Sequence, residues 1–280
     1  AVKQAGVPLP QIDAVAVGNR PGLVGSLLVG TAAAKGLALA LGKPCVPVDH
    51  VHAHLYAGCM TSQGVPAFPA LGLVVSGGHT SIYLMRSPSS MTRIAATIDD
   101  AIGEAYDKVA AIIGLGFPGG PAVDKLAQQG DPSLLTFPIS RVAPGSLDFS
   151  FSGLKTAALY RWNGVPGARA PRHERPKAED LCASFQHAAV AAITMKLGRA
   201  LDQHGTIKSL LVGGGVSANS RLRSELASFA AKHKLDLRLP PMDLCLDNAA
   251  MIAGLASVQL DADPSAGDDR GFSAVPTTSL

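Results

Sequence analysis

The sequence predicts an α/β protein whose sheets are covered by helices. Three observations predict it. Short apolar or β-branched runs such as "IDAVAV" and "SLLV" alternate with longer segments of helical periodicity. Glycine-rich turns, "SGGHT", "GFPGG" and "GGGVSAN", punctuate those runs. Hydrophobic residues make up 47% of 280 residues against 16% charged ones, enough to fill sizeable cores in two lobes.

The elements follow in order. Residues 12–17 read as a strand, 18–22 as a turn, and 26–41 as a helix with small residues on one face. "PCVPVDH" is a second strand that leads into a histidine-rich segment. Residues 71–75 and 81–85 flank "SGGHT" as a hairpin. Residues 99–115 are a helix stopped by "GFPGG", and another helix runs over 121–129. Residues 138–175, rich in Ser, Gly, Pro and Arg, read as loop around one short helix. Ala178–His204 is a long helix, 209–212 a strand, Ser220–His233 a helix, 235–239 a strand and 247–261 a last helix. The tail from Asp263 is small, polar and expected to be loose. No internal repeat is visible.

Composition narrows the function classes. A net charge of +3 does not announce a nucleic-acid protein, although a local patch can still hold RNA. The four cysteines, Cys45, Cys59, Cys182 and Cys245, show no C-x-x-C spacing and fit a reduced, cytoplasmic setting. The apolar stretch 23–41 is broken by Lys35 and several glycines and reads as a buried helix, not a membrane span. No segment reads as a signal peptide.

Chemistry concentrates in a few motifs. In "HVHAH", a helix would place His50 and His54 on one face and His52 on the other. Two imidazoles four residues apart can reach one ion; the alternative is three surface histidines. The Glu of H-E-x-x-H is missing, which disfavours a metallopeptidase. In "LVVSGGHTS", the N–H groups of Ser76, Gly77 and Gly78 can cradle an anion, or the segment is an ordinary turn. His79 beside it is a candidate general base or a capped hairpin residue. Asp100, Glu104 and Asp107 form an acidic stripe on one helix face; Asp107, and Asp124 on the next helix, can accept from ribose hydroxyls. Asn219 can bond a base or ribose, or cap the helix it precedes. Asp247 is a helix cap, or the carboxylate that completes a two-His, one-Asp metal site.

Taken together, "HVHAH", "LVVSGGHTS", "DDAIGEAYDKVA", "GFPGGPAVD", "FSFSGLKTA", "GGGVSAN" and "DNAAMIAG" resemble, in that order, the tRNA N6-adenosine threonylcarbamoyltransferase family. The resemblance implies a two-lobed, actin-like ATPase fold of RNase-H-like topology, with residues 1–65 plus 247–280 as the first lobe and 66–246 as the second. It implies transfer of a threonylcarbamoyl group from threonylcarbamoyl-AMP to N6 of adenosine 37 in tRNAs that read codons starting with A. It places one divalent ion, Fe2+ or Zn2+, on His50, His54 and Asp247. It places the adenylate on Val74, Val75, Ser76, Gly77, Gly78, Asp107, Gly120, Asp124 and Asn219. Other subunits of the modifying machinery are implied as partners, and no membrane.

Two departures stand out. His52 occupies a position where the family usually carries Glu, facing away from the metal. The family also opens with a phosphate-contacting strand-turn-strand that the sequence lacks, so a first lobe truncated at its N-terminus is expected. The basic segment with Arg161, Trp162, Arg169, Arg172, Arg175 and Lys177 suits tRNA contact, with Trp162 available to stack; the alternative is a solvated loop. The rival readings are a hydrogenase-maturation type carbamoyltransferase, whose related domain carries a similar histidine run, and an inactive scaffold paralogue.

Overall fold

The structure, a computed structural model, describes residues 2–61, 63–139, 142–165, 174–267 and 270–277. After a short helix α1 (Val2–Ala5), strand β1 (Val15–Arg20) pairs in parallel with β2 (Cys45–Asp49), and α2 (Val24–Leu41) connects them. Helix α3 (His50–Ala57) follows β2 directly, and α9 (Ala249–Ala262) returns from the far end of the chain to the same sheet. Val46 and Val48 of β2 pack with Met251, Leu255 and Ala256 of α9 in a small core.

The second sheet has five strands in the order β5-β4-β3-β6-β7. They are β3 (Ala70–Val75), β4 (Thr80–Met85), β5 (Met91–Ala96), β6 (Ser209–Gly213) and β7 (Asp236–Arg238). β3 to β5 form an antiparallel meander, while β3, β6 and β7 run parallel. Every residue of β3 and β6 is buried, as central strands covered on both faces must be. Helices α4 (Ile102–Ile113), α5 (Gly119–Ala127), α6 (Ser152–Asn163), α7 (Ala178–His204) and α8 (Ser220–His233) complete this half. Its core joins Leu71, Leu73 and Ile82 from the sheet to Tyr106, Phe149 and Phe185.

Several expectations are corrected. β1 lies at 15–20, not 12–17, because Val15 N–H bonds Pro44 O and so sets the register against β2. β5 was not expected; its Thr92 and Arg93 dilute the apolar signal of an edge strand. α4 starts at Ile102, not at residue 99, because Asp99 is engaged elsewhere. α2 is not a buried helix. Only Thr31, Ala34 and Ala38 are buried, since two strands offer a narrow surface; Leu23, Val24, Leu28, Val29, Leu37 and Leu39 are exposed. By length and composition α2 is apolar enough to cross a membrane, but its contacts are those of a helix packed on β1.

The tail is not loose over its described part. Gly267 is buried, Val275 N–H bonds Asn19 O at 2.9 Å, and Gly22 N–H bonds Pro276 O at 3.3 Å. Lys35 donates to Phe272 O and lies 4.2 Å from the Phe272 ring centroid. The cation that seemed only to interrupt α2 therefore anchors the end of the chain.

Asp99 fastens the entry to α6. Its Oδ1 accepts from the N–H groups of Phe151 and Ser152, and its Oδ2 from the hydroxyls of Ser150 and Ser152. Burial opposes ionisation, but those four bonds outweigh it and hold the carboxyl below its ordinary range. A depressed folded pKa stabilises above the unfolded value, near pH 4, and the benefit is lost as pH falls through the folded pKa. Asp99→Asn is therefore expected to lower stability by about 1 kcal/mol at pH 7, a modest figure because the site is exposed. Urea unfolding at pH 7 and near pH 3 checks this: the deficit should shrink at the lower pH.

Candidate metal and nucleotide site

The histidine segment is helical because Asp49 caps it. Asp49 Oδ1 accepts from Val51 N–H at 2.9 Å and His52 N–H at 3.3 Å, satisfying donors the first turn leaves free. Helical phase then separates the three histidines. His50 and His54 stand together with ring centroids 4.6 Å apart, while His52 turns away and meets the Tyr83 ring edge-on at 5.3 Å.

Asp247 arrives from the other end of the chain. It does not cap α9; Asn248 does, with Oδ1 accepting from Met251 N–H at 2.9 Å. The Asp247 carboxylate is left to aim at the histidines, with Oδ1 3.3 Å from His50 Nε2 and 3.1 Å from His54 Nε2. One ligand atom from each of the three residues lies within 4.8 Å of the others. Burial and the adjacent His50 push the His54 pKa down to about 4, although Asp247 pulls the other way. His54 is thus neutral at physiological pH and its contact with Asp247 is not an ion pair. Neutral imidazoles with one carboxylate are a donor set that borderline divalent ions accept, so these residues fit a metal.

The glycine turns meet at the carboxyl ends of β3 and β6. Those parallel neighbours end with Val74 opposite Gly213. A Cβ on Gly213 would lie 2.2 Å from His54 O, and one on Gly214, at φ +94°, would lie 2.4 Å from Val75 O. Missing side chains here let α3, β3 and β6 close together. Val74 and Val75 bury their side chains in two different cores, which leaves only their backbone for a ligand. Ser76 N–H is already bonded to His79 O at 2.8 Å, and Ser76 Oγ accepts from His79 N–H at 3.0 Å. The expected three-residue cradle therefore shrinks to Gly77 and Gly78, both exposed. Burial, then His50, lowers the His79 pKa.

The expected acidic stripe divides. Lys108 holds both the mostly buried Asp100, at 2.7 Å, and the exposed Glu104, at 2.8 Å. Asp107 instead accepts from Gly119 N–H at 2.8 Å through Oδ1, tying α4 to the start of α5. A Cβ on Gly119 would collide with Ala110 at 2.4 Å, whereas Gly120 faces open space. Asp124 on α5 takes Ser220 N–H at 3.0 Å and Ser220 Oγ at 2.8 Å, and Asn219 caps α8 through Leu222 N–H at 2.9 Å. The structure thus gathers Asp107, Gly120, Asp124 and Asn219 around the starts of α5 and α8. Sequence reasoning missed Asp49, whose signal was an Asp just before a helix, and Gln186, which has no local signal.

In the basic segment, Arg169 and Arg172 lie outside the described residues. Trp162 is not a free stacking platform. It packs partly against the main core, and Arg175 lies 4.7 Å over its ring while donating to Trp162 O at 3.1 Å.

Comparison with known proteins gives a consistent result. The family model described as tRNA N6-adenosine threonylcarbamoyltransferase (TsaD) matches residues 1–254. A protein of that name from Rhodopirellula baltica is 46% identical over 295 residues, covering 97% of this chain and 81% of its own. The one from Trichlorobacter lovleyi is 48% identical over 282 residues, covering 100% of this chain and 79% of its own. Among solved structures, T. kodakarensis HypF aligns with a TM-score of 0.65 at 14% identity, over 93% of this chain and 42% of that one. Full-length HypF in its phosphate- and nucleotide-bound form aligns at 0.60 and 15% identity, over 84% and 38%. These two likenesses bear on the fold alone and support the actin-like class. The named relatives do not favour the rival carbamoyltransferase or scaffold readings. The chain belongs to the tRNA N6-adenosine threonylcarbamoyltransferase family.

Proposed function

We propose that this t6A-forming transferase draws its threonylcarbamoyl group from threonylcarbamoyl-AMP bound between the two glycine turns. The acceptor is N6 of adenosine 37 in tRNAs reading codons that start with A. The N6 amine attacks the carbamoyl carbon, a C–N bond forms, the bond to the phosphate oxygen breaks, and AMP leaves with that electron pair. The N6 proton is lost to solvent or a nearby base. The observation that carries this reading is the convergence of His50, His54 and Asp247 beside the carboxyl ends of β3 and β6.

One divalent ion, iron or zinc, would be held by those three residues and would supply Lewis acidity toward the threonylcarbamoyl end. The rest falls to the chain. Gly77 and Gly78 present backbone to the phosphate from the end of Val74, Val75 and Ser76. Asp107 keeps one carboxylate oxygen for a ribose hydroxyl, since Gly119 occupies the other. Gly120 leaves room for the nucleoside, and Asp124 and Asn219 orient it. Fixing donor and acceptor in one geometry supplies much of the rate, up to roughly 10 kcal/mol.

We assign residues 1–65 plus 247–280 to the first lobe and 66–246 to the second, in accord with the two sheets. The reaction is placed in the cytoplasm with other subunits of the t6A machinery; the free thiols Cys45, Cys59, Cys182 and Cys245 agree with a reducing setting.

A pair of variants tests the division of roles. Asp247→Asn is expected to lose metal while AMP binding changes little. Asp107→Asn should keep metal and weaken AMP about tenfold, because an amide places N–H donors where a hydroxyl proton must point. Elemental analysis and calorimetric titration with AMP on both variants check this; a reversed order means the roles are exchanged.

A further inference from the structure

Gln186 sits on α7, only 4% exposed, and its amide touches three other helices. Its Oε1 accepts from Asn219 Nδ2 at 2.9 Å and from the Tyr106 hydroxyl at 3.2 Å. Its Nε2 donates to Asp124 Oδ1 at 3.1 Å. A carboxylate can only accept, so Asp124 dictates which way the Gln186 amide faces. The amide oxygen must then face α8, and Asn219 must turn its own NH2 toward it. That leaves Asn219 Oδ1 for Leu222 N–H, the bond that caps α8 at 2.9 Å.

This ordering fixes what a ligand meets. Asn219 has its oxygen committed to the cap and one N–H to Gln186; its NH2 also reaches the Tyr106 hydroxyl, but only at 3.5 Å, a long contact that a ligand acceptor can replace. Asp124 Oδ1 is taken by Gln186 and Ser220 Oγ, while Oδ2 holds only Ser220 N–H and keeps room for a hydroxyl. We propose that Gln186 is a positioning residue that sets this donor–acceptor polarity, so that the site selects a nucleotide with an acceptor toward Asn219 and a ribose hydroxyl toward Asp124. The inference rests on the reading of Asp124 and Asn219 as nucleotide contacts. It deepens that reading by naming the group that orients both.

The test is calorimetric titration of the full chain with AMP, with metal content measured on the same samples. Gln186→Leu keeps the bulk but removes the relay, and should weaken AMP about tenfold or more at every pH between about 6 and 8. Gln186→Glu should be as weak near pH 8 and recover as pH falls toward about 6. There a protonated carboxyl donates its O–H to Asp124 and accepts at its carbonyl from Asn219 and Tyr106, restoring the native pattern. The titratable and charged groups around this position are Asp124 from α5, Tyr106 from α4 and Arg221 from α8, with Cys182 on α7 itself and His187, next along α7, whose Nδ1 lies 3.0 Å from the Arg221 guanidinium. Repulsion from Asp124 is what raises the introduced carboxyl into that pH range. A mere packing role would not produce recovery. Native-like AMP affinity in Gln186→Leu, or no recovery in Gln186→Glu, overturns the proposal. Asp124→Ala and Asn219→Ala run alongside. If both bind AMP as the native chain does, the nucleotide reading itself falls; if they weaken it while Gln186→Leu does not, only the proposal falls.

Discussion

His50→Ala and His54→Ala are each expected to strip the protein of most of its metal, with affinity reduced at least about a hundredfold, while His52→Ala retains it. The three residues share one short helix, so composition, charge and position are nearly matched among the variants. What differs is direction. Nε2 of His50 and of His54 both stand within 3.3 Å of Asp247 Oδ1, whereas His52 lies against Tyr83. Elemental analysis of the three purified variants decides the matter. Transferase activity should follow metal content, and equal loss in all three would mean that the helical phase does not define the site.

Gly213→Ala is expected to do comparable damage without altering a ligand. The added carbon would lie 2.2 Å from His54 O and 2.5 Å from His54 C, which are backbone atoms that no rotamer change can move aside. Either β6 or α3 must shift, and α3 carries two of the three ligands. Overpacking of this kind costs about 3 kcal/mol. Thermal unfolding should begin several degrees lower, and metal content should fall together with it. Gly120→Ala is the control, since nothing lies within 4 Å of that position. A Gly213→Ala protein with native metal content and native stability would show that α3 tolerates displacement from the sheet.

Much of this architecture was legible in the sequence where local signals are strong. α7 and α8 run over the residues expected, because each begins at a clear boundary and carries an uninterrupted helical pattern. The β3–β4 hairpin was visible in its two apolar runs around Gly77 and Gly78. The metal trio was partly legible: the i, i+4 spacing of His50 and His54 is local, whereas Asp247, nearly two hundred residues on, stood open between helix cap and third ligand until the resemblance was drawn. Errors arose where a residue's role depends on distant chain. Asp99 was read as the start of α4, yet its carboxylate serves residues 150–152. Asp247 was weighed as a cap, but its neighbour Asn248 takes that task. The tail from Asp263 was read as loose from composition, although Ser273 and Val275 bond with Asn19. Gln186 could not be found by any local rule, since its partners lie 33, 62 and 80 residues away.

The chain contains a single tryptophan, Trp162, in the last turn of α6. All of the indole emission of this protein therefore originates at one place. The ring packs partly against the core and also meets the Arg175 guanidinium, 4.7 Å from its centroid. The same fluorophore thus reports two events, the seating of α6 on the domain interior and the position of the arginine-bearing segment that follows it. No extrinsic label is needed to follow either one, and the metal and nucleotide residues can be varied without touching the reporter.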